Sequence, residues 1–403
     1  MAVTQVSNTQ PFPPLMPVYD RAGDLMFERG EGVWLFDTHG QRYLDAVGGV
    51  AVTGFGHAHP ALVKTLCEQG AKVWTVSNIF NTPVAVRLAQ RLVDLTFADT
   101  VFFQNSGVEA WDASVKVARK YFSAIGKPER YRVITFQGCF HGRSLSAIAA
   151  SKAPKMVNGF GPMMDGFDQV PWNDLEAVKS AITPETAAIF IEPLQGEAGV
   201  REATPAFLQA LRRLCDEHGL LLCFDEIQCG LGRTGTLFAH EALGVTPDIM
   251  CIAKTLGNGY PIGACLATAK AAQGMTVGTH GSTFGGNPLA AALGNTVLDL
   301  LTAPGFLDDV RRRGALFSAE LDAVVARHPE VFTGRRGKGM IQGLVCKMPN
   351  TDIITALREE HLLTIAAANN VIRLLPALIV TDEEIHEIAL RIDRAAVRRE
   401  SAA

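Results

Sequence analysis

LLLCFDE at residues 220–226 and DIMCIAK at residues 248–254 are two short, almost wholly apolar runs, each ending in charged residues. Three similar runs precede them, TVFFQ (100–104), YRVITF (131–136) and AAIFIEP (187–193), and helical stretches fill the intervals. Near-continuous apolar runs are typical of strands buried on both faces, and their alternation with helices predicts a mainly parallel sheet covered by helices. The predicted fold class is therefore α/β.

The predicted domains are arranged around this sheet. Residues 1–53 are predicted to be an N-terminal segment of the smaller domain, in which GVWLFDTHGQRYLDAVGG (32–49) favours a strand, a glycine-containing turn and a strand. Residues 54–290 are predicted to be the large domain. A glycine-rich segment at 278–288 precedes a return to helices and short strands, which predicts a small C-terminal α/β domain at residues 291–403.

Composition and charge exclude several classes of protein. The chain has 403 residues, is 48% apolar and carries 37 basic against 41 acidic side chains, for a net charge of −4. A nucleic acid partner requires a basic patch, so nucleic acid binding is not expected. The uncharged stretch 271–298 contains six glycines and a proline, which favours a turn-rich segment over a membrane span.

Cellular location is predicted from the N-terminal segment and the cysteines. The first 17 residues contain neither a basic residue nor an apolar run, so they lack the parts of a secretory or transit peptide. The eight cysteines include no CxxC pair and no zinc-site spacing, which indicates reduced, small core residues and no metal site. We therefore expect a cytoplasmic protein.

Asn105, Ser106 and Gly107 directly follow a predicted strand and open a predicted helix. The apolar residues after them recur at steps of three and four, which is the helical period. The start of a helix exposes unpaired N–H groups and the positive end of the dipole, both of which suit a phosphate. An ordinary helix cap by Asn105 or Ser106 explains the same residues without a ligand.

Asp225 and Lys254 each stand at the end of a predicted parallel strand. The carboxyl ends of such strands face the ligand crevice of an open α/β sheet, so both side chains are expected to reach one crevice. Asp225 is then a metal ligand, a base, the partner of a protonated heterocycle, or a structural carboxylate. Lys254 is either a solvated lysine or an amine nucleophile that forms a Schiff base.

Two patterns point elsewhere and are set aside. GLGRTG (230–235) has the glycine spacing of a dinucleotide-binding loop, which would indicate a nicotinamide-dependent dehydrogenase. Four residues separate Asp225 from Gly230, however, so the first glycine does not lie at the strand-to-helix turn. His57 and His59 form an HxH pair without a carboxylate or cysteine at ligand spacing, which favours a loop role.

Six ordered motifs together resemble one family, the class III aminotransferases. They are NSGVEA (105–110), FHGRSL (140–145), EPLQGEAGV (192–200), DEIQCGLGRTG (225–235), AKTLGNGYPIGA (253–264) and HGSTFGGNPLA (280–290). The resemblance extends from about Pro17 almost to the C-terminus. It implies a fold type I pyridoxal phosphate-dependent transferase, whose large domain holds pyridoxal 5′-phosphate.

The resemblance also implies roles for individual residues around that cofactor. Lys254 matches the lysine that carries the cofactor as a Schiff base, and Asp225 matches the carboxylate paired with the ring nitrogen. The other matched cofactor contacts surround the phosphate, the two ring faces and the ring hydroxyl, and they are Ser106, Gly107, Val108, Phe140, Ile227 and Gln228. Thr283 resembles the threonine that reaches the phosphate of a neighbouring subunit, which implies a homodimer with its active sites at the interface.

Substrate binding is likewise implied by the resemblance. Arg143 matches the arginine that binds the carboxylate far from the reacting carbon, and Arg373 matches a second arginine that Glu197 neutralises when an ω-amine reacts. Ser282 and Tyr19 are expected at the substrate side of the site. The implied reaction is ping-pong transfer of the ω-amino group of N2-acetyl-L-ornithine to 2-oxoglutarate, giving N-acetyl-L-glutamate 5-semialdehyde and glutamate, a step of arginine biosynthesis.

Other functions stay open from the sequence. The amine donor is alternatively ornithine, succinylornithine, N-succinyl-diaminopimelate or 4-aminobutyrate. An aminomutase or racemase needs the same Lys254 and Asp225 but no second keto substrate. A catalytically silent binding protein on the same fold has no need for both arginines and the glutamate.

Overall fold

The computed structural model describes residues 14–23 and 25–402. Its strands are β1 (Phe27–Glu31), β2 (Trp34–Asp37), β3 (Arg42–Asp45), β4 (Thr100–Gln104), β5 (Arg132–Phe136), β6 (Phe167–Val170), β7 (Thr186–Ile191), β8 (Leu194–Gln195), β9 (Arg201–Glu202), β10 (Leu221–Asp225), β11 (Ile249–Ile252), β12 (Gly263–Ala267), β13 (Phe332–Lys338), β14 (Ile341–Cys346), β15 (Leu362–Leu363), β16 (Ile365–Ala367) and β17 (Val371–Leu374).

The helices alternate with these strands. They are α1 (Gly48–Ala51), α2 (Pro60–Gly70), α3 (Pro83–Asp94), α4 (Gly107–Ala124), α5 (Leu145–Ser151), α6 (Pro154–Val157), α7 (Leu175–Ala181), α8 (Pro205–His218), α9 (Ala269–Ala272), α10 (Pro288–Leu301), α11 (Phe306–Arg327), α12 (Asn350–Glu359) and α13 (Asp382–Ala402). Short 3₁₀ turns lie at Ala239–Leu243 and Lys254–Leu256.

A seven-stranded sheet forms the centre of the molecule, in the order β4-β12-β11-β10-β7-β5-β6. β12 runs antiparallel to both of its neighbours, and the pairs among the other strands are parallel. The predicted α/β class and the five predicted strands are confirmed. β6 and β12 were not predicted; β12 has the sequence GACLA, whose glycine and alanines carry little strand propensity.

Both faces of this sheet are covered, which explains the continuous apolar runs. Leu222 and Phe224 of β10 belong to one core cluster together with Leu208 and Leu211 of α8. Alternate residues of β10 and β11 belong to a second cluster with α4, which includes Trp111. Because successive strand residues point to opposite faces, each face supplies its own apolar core. The charged residues at the strand ends therefore meet at the carboxyl edge of the sheet.

Smaller sheets are built from both ends of the chain. β15, near the C-terminus, pairs in parallel with β3, so it completes the sheet β1-β2-β3-β15. A further antiparallel sheet has the order β13-β14-β17-β16. The strand–turn–strand predicted for the N-terminal segment is confirmed by β2 and β3. The domain boundaries at residues 53 and 290 stay a prediction.

The sequence predicted reduced cysteines in the core and favoured a turn-rich segment over a membrane span at residues 271–298. All eight cysteines are free thiols, and seven of them are buried, with Cys67 exposed. No helix in the described ranges is both long and apolar enough to span a bilayer alone; α10 and α11 meet that test only as a joined pair bent by 72°.

Candidate active site

A cavity of about 300 Å³ lies at the carboxyl edge of the central sheet, beside the start of α4. Ten of the residues singled out in the sequence line it, namely Asn105, Ser106, Gly107, Val108, Phe140, Glu197, Asp225, Ile227, Gln228 and Lys254. The parallel pairing of β10 with β11 brings Asp225 and Lys254 to this one edge. Sequence positions far apart along the chain thus share one pocket.

Lys254 follows β11 directly after Ala253, and its backbone is in the left-handed region, with φ of 49°. This region is sparsely populated by non-glycine residues, and the strain of such a backbone is consistent with a functional position. Burial, followed by the positive charge of Arg373, lowers the pKa of Lys254 to about 8, against opposing contributions from nearby carboxylates. About a tenth of the amine is therefore neutral, and nucleophilic, at pH 7, which is far more than for an ordinary lysine.

Asp225 is buried at the end of β10 and is held through both carboxylate oxygens. Oδ2 lies 2.7 Å from Nδ1 of His141, and Oδ1 accepts a hydrogen bond of 3.0 Å from the backbone N–H of Ile227. The His141 ring stacks on Trp111 at 5.0 Å between centroids with an interplanar angle of 9°. These contacts fix the carboxylate in the cavity, where it suits a protonated ring nitrogen.

His141 and Glu192 also line the cavity; they lie within the motifs FHGRSL and EPLQGEAGV, but neither of them was assigned a role from the sequence. No spacing rule identifies His141, which follows β5 in a loop. Glu192 directly follows β7, a neighbour of β10, so its position at the carboxyl edge was a usable signal. Its Oε2 accepts from the backbone N–H of Phe140 at 3.2 Å. Burial, and then the charge of Asp225, raise the pKa of Glu192 well above its ordinary value.

The start of α4 provides the anion-binding end of the cavity. Ser106 caps the helix by accepting from the backbone N–H of Glu109, and its hydroxyl donates to Glu109 Oε2 at 3.0 Å. The first N–H groups of a helix have no carbonyl partner within it, so those of Gly107 and Val108 are available to a phosphate. A Cβ on Gly107 would come within 3.0 Å of Ile227, so glycine allows this close packing.

Arg373 lies on β17 beside the cavity and is 1% exposed. Its Nη1 donates to Glu197 Oε1 at 2.6 Å and to Gln228 Oε1 at 3.0 Å. Glu197 is 32% exposed, so one partner of this ion pair can reach solvent while the other cannot. The 2.6 Å contact shows that Arg373 and Glu197, which the resemblance implied as a pair, lie together in the structure.

Arg143 lies outside the cavity wall. Its side chain is exposed, and its guanidinium carbon stands 5.7 Å from the centroid of the Phe140 ring, which does line the cavity. In the described part of the chain no carboxylate is within ion-pairing distance of Arg143. It is thus a cation adjacent to the site and available to an incoming carboxylate.

The remaining predicted residues lie apart from this cavity. Ser282 and Thr283 line a neighbouring cavity, where Ser282 Oγ accepts from Asn105 Nδ2 at 3.2 Å. Thr283 is exposed, and Tyr19 is 73% exposed on the surface. Within this one chain, neither Thr283 nor Tyr19 lines the cavity of Lys254.

The residues of the cavity fit pyridoxal phosphate group by group. A lysine amine of lowered pKa suits its aldehyde, a helix N-terminus suits its phosphate, and a buried carboxylate suits its ring nitrogen. Phe140 and Ile227 supply apolar walls for a planar ring. This one chain therefore supplies a partner for the aldehyde, the phosphate and the ring nitrogen of that cofactor.

Comparisons with known proteins agree with this geometry. The family model "Aminotransferase class-III" matches residues 17–396. Acetylornithine aminotransferase 1 of Bradyrhizobium diazoefficiens is 57% identical over 383 residues, covering 95% of this chain and 94% of that protein. The crystal structure of an ornithine aminotransferase from Toxoplasma gondii matches with a TM-score of 0.92 at 31% identity, over 95% of this chain and 93% of that one. N-acetylornithine aminotransferase from Stenotrophomonas maltophilia matches with a TM-score of 0.83 at 36% identity, over 94% and 98%.

Proposed function

The chain belongs to the class-III aminotransferases, and on that premise we propose that it transfers the ω-amino group of N2-acetyl-L-ornithine to 2-oxoglutarate. The products are N-acetyl-L-glutamate 5-semialdehyde and glutamate, and pyridoxal 5′-phosphate is the cofactor. The observation that carries the proposal is the Arg373–Glu197 pair at the cavity of Lys254 and Asp225. The 57% identity to a relative named for acetylornithine supports this choice of donor.

In the proposed mechanism, pyridoxal phosphate supplies the electron sink that stabilises a carbanion next to the reacting amine. Lys254 Nζ would hold the cofactor aldehyde and, as a free amine, would accept the proton from the substrate carbon that bears the amine. Asp225 keeps a proton on the ring nitrogen, and His141 holds the Asp225 carboxylate at 2.7 Å. Gly107 and Val108 hold the phosphate through their N–H groups.

One pocket must accept two substrates of different charge. Acetylornithine brings one carboxylate, and the proposed anchor for it is Arg143, while Glu197 neutralises Arg373 at 2.6 Å. Glutamate and 2-oxoglutarate bring a second carboxylate. Arg373 then exchanges Glu197 for that carboxylate, which an arginine binds with two parallel hydrogen bonds. Because Glu197 is partly exposed, its carboxylate can accept hydrogen bonds from water once Arg373 has left it.

We propose further that the enzyme works as a homodimer in which Thr283 serves the partner's phosphate site, with Ser282 beside it. Large apolar side chains are exposed around that segment, including Trp74 (67%), Ile79 (82%), Phe80 (65%) and Phe284 (59%). Contiguous exposed apolar surface of this kind usually marks an interface. Tyr19 stays assigned to the substrate entrance as part of this proposal. The eight free thiols support a cytoplasmic location.

Substrate profiling tests this function. The purified holoenzyme is assayed with 2-oxoglutarate and, in turn, acetylornithine, ornithine, succinylornithine, N-succinyl-diaminopimelate and 4-aminobutyrate. We expect the highest kcat/KM with acetylornithine. Equal or better turnover of an unacylated amine contradicts the proposed donor, and product formation without 2-oxoglutarate indicates an aminomutase or racemase.

A further inference from the structure

Gln228 shares Arg373 with Glu197. The same nitrogen, Nη1 of Arg373, donates to Gln228 Oε1 at 3.0 Å and to Glu197 Oε1 at 2.6 Å. Arginine has only donors, so the amide oxygen of Gln228 must be the atom that faces it. The amide NH₂ group is thereby directed away from Arg373, on a side chain that lines the cavity.

Arg373 has spare hydrogen-bonding capacity in this arrangement. Its Nε is buried and has no hydrogen-bond partner among the residues that the structure describes. The guanidinium is therefore incompletely satisfied even with Glu197 in place. When Glu197 is released, Gln228 is the neutral acceptor that stays in contact with Arg373, and the other donors are free for a substrate carboxylate.

Gly196 is the residue that gives Gln228 room to do this. A Cβ added at Gly196 would lie 1.5 Å from Gln228 Oε1 and 3.1 Å from Arg373 Nη1. Gly196 has no positive φ, so a Cβ at this position would act through space and not through backbone conformation. A single methyl group at position 196 would therefore displace the amide of Gln228 from its present position.

We propose that Gln228 is a positioning residue for Arg373, which holds the guanidinium in place for the α-carboxylate of glutamate or 2-oxoglutarate after Glu197 is released. The inference rests on the proposed function. A neutral acceptor suits this task because it aims the guanidinium without competing as a charge with the substrate carboxylate. A second carboxylate at position 228 would compete, since it would neutralise Arg373 permanently.

Three variants separate this role from others. Gln228→Leu removes the acceptor, Gln228→Glu keeps an acceptor and adds a charge, and Gly196→Ala displaces an intact Gln228. Gln90→Leu, on the exposed face of α3, is the matched control for a glutamine replacement. Each holoenzyme is mixed rapidly with glutamate alone or with acetylornithine alone, and the cofactor absorbance reports each half-reaction.

The expected result is a split between the half-reactions. Gln228→Leu and Gly196→Ala raise the half-saturating glutamate concentration about tenfold, as for one lost hydrogen bond to a charged group, and raise the half-saturating acetylornithine concentration by a smaller factor. Gln228→Glu slows the glutamate half-reaction more than the other two variants do. Gln90→Leu leaves both half-reactions unchanged.

Equal loss in both half-reactions, or a change confined to the cofactor spectrum, overturns the inference. Failure of the proposed function gives a different signature, in which the unsubstituted enzyme does not react with acetylornithine. The response of the glutamate half-reaction to Gln228→Leu still decides the role of Gln228 in that case. An unchanged half-saturating glutamate concentration refutes it.

Discussion

Replacing Glu197 with glutamine removes the charge that faces Arg373 and keeps the shape and an acceptor oxygen. In the proposed mechanism the two half-reactions use Glu197 in opposite ways. The ω-amine needs Arg373 neutralised, whereas the glutamate carboxylate must displace Glu197 from it. Glu197→Gln is therefore expected to slow the first half-reaction and to strengthen glutamate binding in the second.

The size of both effects follows from the contact. A hydrogen bond to a charged group contributes about 1.5 to 3 kcal/mol, and the Arg373–Glu197 contact is short, at 2.6 Å. Arg373 is 1% exposed but Glu197 is 32% exposed, so solvent screening favours the lower end of that range. About 1.4 kcal/mol is a factor of ten. We expect an approximately tenfold slower acetylornithine half-reaction and glutamate binding tightened by up to a similar factor.

Single-turnover mixing of the holoenzyme with each amino donor measures the two effects separately. The rate constant and the half-saturating concentration are obtained from the cofactor absorbance over a range of donor concentrations. Circular dichroism and thermal unfolding check that the variant is folded. Changes in the same direction for both donors would refute the reasoning, because they would show that Glu197 is not exchanged between the two substrates.

Three further predictions test other parts of the site. Asp225→Asn is expected to lower kcat more than about 100-fold in a folded protein, because the ring nitrogen loses its anionic partner; near-normal turnover contradicts this role. Since burial lowers the pKa of Lys254 to about 8, the cofactor-free protein should bind pyridoxal phosphate faster as pH rises through about 8 and then level off; a rise that continues towards 10.5, the ordinary lysine pKa, argues against the lowered pKa. Phe284→Asp should yield a monomer in light scattering with weakened cofactor retention, and a persistent dimer removes the exposed apolar surface from the proposed interface.

The fold was largely predictable because its signals are local. Apolar runs flanked by helices indicated the central strands, and the end positions of Asp225 and Lys254 indicated a shared edge before any contact was known. β12 was missed because its burial comes from its sheet neighbours and not from strongly strand-forming residues.

The site was predictable only in part. His141 contacts Asp225, which lies 84 residues later in the sequence, and no spacing rule encodes that contact. Glu192 could have been placed at the carboxyl edge from its position after β7, but its contact with Phe140, 52 residues earlier, could not. The pairing of Arg373 with Glu197 came from resemblance and not from pattern. The contact of Gln228 with Arg373 could be recognised only from the 3.0 Å distance between Gln228 Oε1 and Arg373 Nη1.

The covalent attachment of the cofactor at Lys254 is the central claim, and borohydride reduction of the holoenzyme followed by peptide mapping tests it most directly. The account predicts one pyridoxyl adduct, on Lys254, and loss of turnover in Lys254→Ala. An adduct on another lysine, or a Lys254→Ala variant that keeps the activity of the unsubstituted enzyme, would contradict it.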